Sequence, residues 1–214
     1  MLNRAVILLS LLILTGCGGG GGGGGAAVSP TDPDQSFSLS GTGNSHTQLT
    51  GSDSTGVSYV GSISTAERGQ EMLGGVLVNV TEVIFSITGG GASVTATGTS
   101  YRDTDGNLIA TVSGDGVTCI AVSPDRIPET GQIGDFGTLS PLVCDDNTTQ
   151  RSNWRIEDAG NGRIALIINL TIRNQSNSII SIATQTNQLD VDGNTLSYSI
   201  VLNIDDFSLS LKST

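Results

Sequence analysis

Ile164-Ala165-Leu166-Ile167-Ile168-Asn169-Leu170-Thr171-Ile172-Arg173 separates into two sides when every second residue is taken together. Ile164, Leu166, Ile168, Leu170 and Ile172 fall on one, and Ala165, Ile167, Asn169, Thr171 and Arg173 on the other. Side chains alternate across a strand with a period of two, so this run predicts a half-buried strand. The last segment repeats the pattern with Leu196, Tyr198, Ile200, Leu202 and Ile204, then shifts phase to Phe207, Leu209 and Leu211 across Asp205-Asp206. A three-residue step predicts a β-bulge or bend at that aspartate pair.

Shorter runs of the same kind predict strands over residues 36–41, 57–64, 73–88, 93–101, 108–113, 117–122, 153–157 and 179–186. Helical periodicity is nearly absent; residues 65–73 are the one place for a short turn or helix, and the Ser/Thr/Gly-rich residues 41–56 read as loop. Asp105-Gly106, Asp115-Gly116, Asn161-Gly162 and Asp192-Gly193 suit the positive φ angles of tight hairpin turns, so consecutive strands are expected to pair. The fold class that follows is all-β, an antiparallel sandwich or an up-and-down barrel with tight hairpins and at most one short helix. A lipid-spanning barrel is disfavoured, because its aromatic girdles exceed what 4% aromatic residues supply.

At the other end of the chain, Arg4 precedes an apolar run over residues 5–14, and Leu14-Thr15-Gly16-Cys17 follows. The run is about ten residues, whereas a helix needs roughly 20 to cross a bilayer core. A charged start, a short apolar stretch and small residues describe a secretory signal peptide. Leu14-Thr15-Gly16-Cys17 resembles the lipobox of bacterial lipoproteins. The resemblance implies that residues 1–16 are removed, that a diacylglyceryl group is carried on the Cys17 thiol, and that Cys17 becomes the first mature residue. With Gly18 following Cys17, it also implies the outer membrane if the host has two membranes. Several acyl chains make such attachment stable.

Gly18 to Gly25 bury no side chain and lose the most backbone entropy on ordering, so residues 17–35, continuing through Pro30 and Pro33, form a lipidated flexible tether. Its root-mean-square reach is roughly 20 to 25 Å. Residues 36–214 then form a single β domain.

The chain of 214 residues carries 20 acidic and 9 basic side chains; without Arg4 the mature net charge is −12. That excludes nucleic acid as a partner, since phosphate neutralisation needs Lys and Arg, and disfavours docking on anionic lipid. With Cys17 lipidated, Cys119 and Cys144 remain, and an even remainder in an exported chain predicts a disulfide. It encloses the most irregular stretch, with Pro124, Pro128 and Pro141. Neither a neighbouring histidine nor a C-x-x-C spacing supports metal or redox chemistry there.

Asp103-Thr104-Asp105-Gly106-Asn107 is echoed by Asp190-Val191-Asp192-Gly193-Asn194. Asp103, Asp105, Asp190 and Asp192 are weak calcium candidates, but neither segment has the sixth-position glycine or twelfth-position glutamate of an EF-hand, and hairpin turns with solvated aspartates explain them. Asp145-Asp146 and Asp205-Asp206 are acidic pairs whose carboxylates point apart on a strand. Gly89-Gly90-Gly91 lacks the lysine and helix of a phosphate cradle and reads as a loose turn.

Catalytic motifs are scarce. His46, the only histidine, stands in the expected loop, and no G-x-S-x-G nucleophile motif accompanies it. Trp154, the only tryptophan, shares a face with Ile156 and packs in the core unless it is exposed between Arg151 and Arg155 as a carbohydrate or peptide contact. The reading is a lipid-anchored envelope lipoprotein, not an enzyme. Its β domain serves as a binding or structural accessory module for an envelope protein or glycan, without cofactor beyond the covalent lipid. The alternatives are a small barrel carrying an apolar ligand and an envelope hydrolase using paired carboxylates.

Overall fold

A computed structural model describes residues 35–39 and 45–214. The expected signal peptide, Cys17 and the tether as far as Asp34 lie outside the described residues. Among the described residues, fifteen strands and no helix follow in order. They are β1 (Phe37–Ser38), β2 (Ser45–Asp53), β3 (Ser58–Leu73), β4 (Val76–Gly89), β5 (Ala92–Asp103), β6 (Leu108–Ser113), β7 (Thr118–Asp125) and β8 (Thr130–Gly131). The remainder are β9 (Phe136–Thr138), β10 (Leu142–Cys144), β11 (Thr149–Gly160), β12 (Arg163–Arg173), β13 (Ile179–Leu189), β14 (Thr195–Ile204) and β15 (Phe207–Ser213).

Twelve of these close into one antiparallel barrel. From β10 the order runs β7, β6, β5, β4, β3, β2, then β15, β14, β13, β12 and β11, and β10 pairs back onto β11. Of the two expected architectures, the closed barrel is the one adopted. The closing strand is broken: β10 covers Thr149 and Gln150 of β11, and β9 resumes farther along at Asn153 to Arg155. The Cys119–Cys144 disulfide bonds directly opposed residues of β7 and β10 beside this seam.

Inward positions carry the core. Ile164, Leu166, Ile168, Leu170 and Ile172 are all buried, as the alternation of β12 requires. They join Phe85, Ile87, Leu202, Leu209 and Leu211 in one cluster, and Trp154, Ile156 and Leu189 in another. The outward side of β2, β5, β14 and β15 is mostly Ser, Thr, Gln and Asn. On the other strands exposed apolar residues such as Val60, Ile120 and Val122 interrupt this polar exterior.

Six hairpins are three-residue loops in which only one residue takes positive φ: Gly56, Gly106, Gly116, Asn147, Asn177 or Gly193. Gly74-Gly75, Gly90-Gly91, Asn161-Gly162 and Asp205-Asp206 make two-residue turns. Of the bulge or bend expected at Asp205-Asp206, the chain makes a bend, a two-residue hairpin turn: Ile204 opposes Phe207, both packing on the core, which gives the three-residue step. Likewise Gly90-Gly91 is a tight turn rather than a loose one.

Two further expectations are corrected. Residues 65–73 are not helical but complete β3, where pairing with β4 decides the conformation and a bulge between Glu67 and Gly69 takes up the mismatch. Residues 45–53 of the expected loop are β2, held by ladders to β3 on one side and β15 on the other.

In an up-and-down barrel successive turns alternate ends. We call the lower end the one with turns 74–75, 103–107, 161–162 and 190–194. There β1 pairs with β8, and Phe37 and Leu39 pack on Trp154, Ile156 and Ile164, capping the part of the rim formed by β11, β12 and β13.

Candidate functional site

The adjoining part of the lower rim, formed by β14, β15, β2 and β3, is hollow. Its floor is Ile63 and Tyr198, its walls are the hydroxyls of Ser45, Thr47, Thr65 and Ser213, and its volume is about 300 Å³. The β2 and β3 walls are joined by a 2.6 Å bond between Ser45 Oγ and Thr65 Oγ1, and Ser213 Oγ accepts from the Tyr198 amide at 3.1 Å. Gln185 reaches the hollow from β13, donating to Asn187 Oδ1 at 3.3 Å, while Leu196 forms an exposed apolar lip. Among the described residues, no Asp, Glu, Lys or Arg lines it. Such a lining offers donors and acceptors to an uncharged ligand and no compensation for a desolvated charge.

His46 stands on the rim, on the outward face of β2. Gln48 Nε2 donates to its Nε2 at 2.7 Å, which in this amide orientation leaves the ring proton on Nδ1, 2.6 Å from Ser64 Oγ. The ring is thus held by an amide and a hydroxyl, both exposed. No carboxylate accompanies them to complete a nucleophile–base–acid relay.

The acidic residues are placed elsewhere. Asp103 and Asp190 occupy equivalent hairpins: Asp103 Oδ1 accepts from the amides of Asp105 and Asn107, and its Oδ2 from Asn107 Nδ2. Asp190 repeats this with Asp192 and Asn194. The sequence echo is therefore one turn built twice. Burial alone would raise both carboxyls, but the asparagine side-chain and backbone hydrogen bonds outweigh it and hold both below the ordinary carboxylate range. With both oxygens of each turn-forming aspartate occupied by N–H donors, these carboxylates serve the backbone. Beside the first turn, Arg102 donates to the Gly106 carbonyl at 2.9 Å, and burial pulls its pKa down to about 10. Asp145 accepts from the Thr118 amide of β7, and Asp146 accepts from the local Thr148 amide.

Trp154 is 8% exposed and faces inward, its indole against Gly137, where a Cβ would lie 2.8 Å from Nε1. Arg151 and Arg155 point outward from the same strand, so the tryptophan is a core residue. Gln150 lies beside the disulfide, its Nε2 3.1 Å from Cys119 Sγ.

The hollow was not legible in advance, because β2 reads as loop and the wall residues Ser45, Thr47, Thr65 and Ser213 are hydroxyls at inward positions. The one signal was a face of β13 carrying Ser181, Gln185 and Asn187, all buried. Fold and hollow together define an apolar-cored, closed up-and-down barrel with an uncharged polar mouth. No protein-family model matches the chain, and no curated protein and no solved structure matches it.

Proposed function

We propose that the protein is a lipid-anchored envelope lipoprotein, in the outer membrane of a host with two membranes, whose barrel is a binding module rather than an enzyme. The anchor is supported by the order Arg4, apolar run, Leu14-Thr15-Gly16-Cys17. The binding role is carried by one observation, the uncharged, hydroxyl-lined lower mouth. It suits a glycan or an uncharged segment of an envelope protein. The apolar carrier gains no support from an interior in which Phe85, Ile164 and Ile168 are fully covered by neighbouring side chains. The hydrolase gains none from a mouth without carboxylates.

The test is capture from native envelopes with the wild-type chain, Cys17→Ser and Thr47→Arg, together with mass analysis of the mature N-terminus. Acylated Cys17, membrane loss in Cys17→Ser and loss of the captured glycan or protein in Thr47→Arg are expected. An unmodified Cys17 overturns the anchor; capture unaffected by Thr47→Arg overturns the mouth.

A further inference from the structure

The tip of the β3–β4 hairpin extends, among the described residues, beyond its pairing with both neighbouring strands. Among the described residues, β2 last meets β3 at Ser45 and Thr65, and β5 last meets β4 at Asp103 and Val78. Beyond those points Met72 pairs with Leu77 and Leu73 with Val76, across a turn in which Gly74 and Gly75 both have positive φ. The tip Met72-Leu73-Gly74-Gly75-Val76-Leu77 has no polar side chain, whereas the three-residue turns carry Asp, Ser, Thr or Asn. Met72 is 64% exposed, Val76 45% and Leu77 41%. An aliphatic cluster at the end of a hairpin is the reverse of ordinary turn chemistry and marks a contact surface.

A second observation says what it contacts. The polypeptide enters the fold at the same end: Phe37 pairs with Gly131 in the lower cap, and Ser38 packs on Gly193 of the 190–194 turn. The chain that leads back to Cys17 therefore leaves from the end on which the tip projects. The nearest charges are Glu71, next to Met72, and Asp103, opposite Val78, with the Arg68–Glu82 ion pair farther up the hairpin. Two residue pairs and a turn span roughly 7 to 10 Å at the rise of a strand. That matches the shallow depth, about 5 to 10 Å, at which apolar faces seat in the headgroup–acyl boundary.

The geometry points to the Met72–Leu77 tip seating in the bilayer interface as a second, non-covalent membrane contact that sets the lower end of the barrel toward the lipid. This rests on the anchor reading above. Exposed Glu67 and Glu71 favour an uncharged or zwitterionic surface over an anionic one. The lower mouth then opens toward the membrane surface and not toward the bulk.

The test places an environment-sensitive fluorophore on Met72→Cys, or on Ser176→Cys at the upper end, in the mature full chain on phosphatidylcholine vesicles. The chain is held there by its own lipid and, in parallel, by a histidine tag replacing residues 1–17 on chelator lipid. The probe at position 72 is expected to shift to the blue and to be quenched by nitroxide-bearing lipid in both displays, and adding Leu77→Asp to abolish the shift. The probe at position 176 is expected to keep its solution values. Equal, unshifted emission at both positions on vesicles overturns the proposal. A shift without vesicles that grows with protein concentration overturns it in favour of a second copy of the chain. A shift in native envelopes but not on vesicles overturns it in favour of a protein partner. If the native chain does not float with vesicles while the tagged display still gives the shift, the anchor reading fails and the tip stands.

Discussion

At Gly51 an added Cβ would lie 1.8 Å from the Ser210 carbonyl oxygen, a backbone atom of the neighbouring strand that has no rotamer with which to give way. Gly51→Ala is expected to destabilise by roughly 1 to 3 kcal/mol through overpacking, read as a lower denaturant midpoint at unchanged slope. Other residue-scale effects lie in the turns. Asp53 is lowered first by the Thr55 hydroxyl and then, against some desolvation, by Tyr59 and two backbone amides; Asp103 and Asp190 are lowered by their asparagine partners despite burial. A carboxyl depressed in the folded state adds stability above its unfolded pKa and loses it as pH falls through the folded value. Stability is therefore expected to fall below about pH 4. An Asp53→Asn/Asp103→Asn/Asp190→Asn variant, which keeps the turn geometry but not the titration, should show a flatter acid limb in pH-dependent thermal melts.

Among the elements, the broken closing strand is the weakest link of the barrel. β10 is three residues long, and its covalent bond to β7 is what a short ladder cannot supply. On the chain-entropy model a bridge across 25 residues of sequence contributes about 3 to 4 kcal/mol. Cys119→Ser/Cys144→Ser should lose about that much, with hydrogen exchange rising first in β9 and β10 while β12 stays protected. Strand β12 was legible because its buried side is uniformly aliphatic. β13 was also legible as a strand, over residues 179–186, but its buried side was not: it buries Ser181, Gln185 and Asn187 and leaves Ile182 exposed, so hydropathy points to the wrong face and only its ladders to β12 and β14 fix it. The same holds for residues 65–73, where the hairpin partner overrides local preference. Four of the hairpins were readable from Asp105-Gly106, Asp115-Gly116, Asn161-Gly162 and Asp192-Gly193, but not whether each turn held two residues or three.

On the scale of the whole molecule, the N-terminal segment before β2 belongs to the fold and is not only a lead-in. Phe37 is buried at 1% exposure in the lower cap, and Phe37→Ala is expected to cost about 3 to 5 kcal/mol, measured by equilibrium unfolding. A loss near zero would place the start of the domain at Ser45 instead. The barrel also joins its first and last long strands, because β15 is the only element between β2 and β14. Synthesis and any export channel release β2 first and β15 last, so β2 waits as an unpaired edge until nearly the whole chain has emerged. Open edges invite pairing with other chains, and natural sheets blunt them with polar side chains. In Ser45–Asp53 a single large apolar residue, Leu49, interrupts hydroxyls, amides and one imidazole. The low apolar content that made β2 read as loop is what keeps a long-exposed edge from finding the wrong partner before its own arrives.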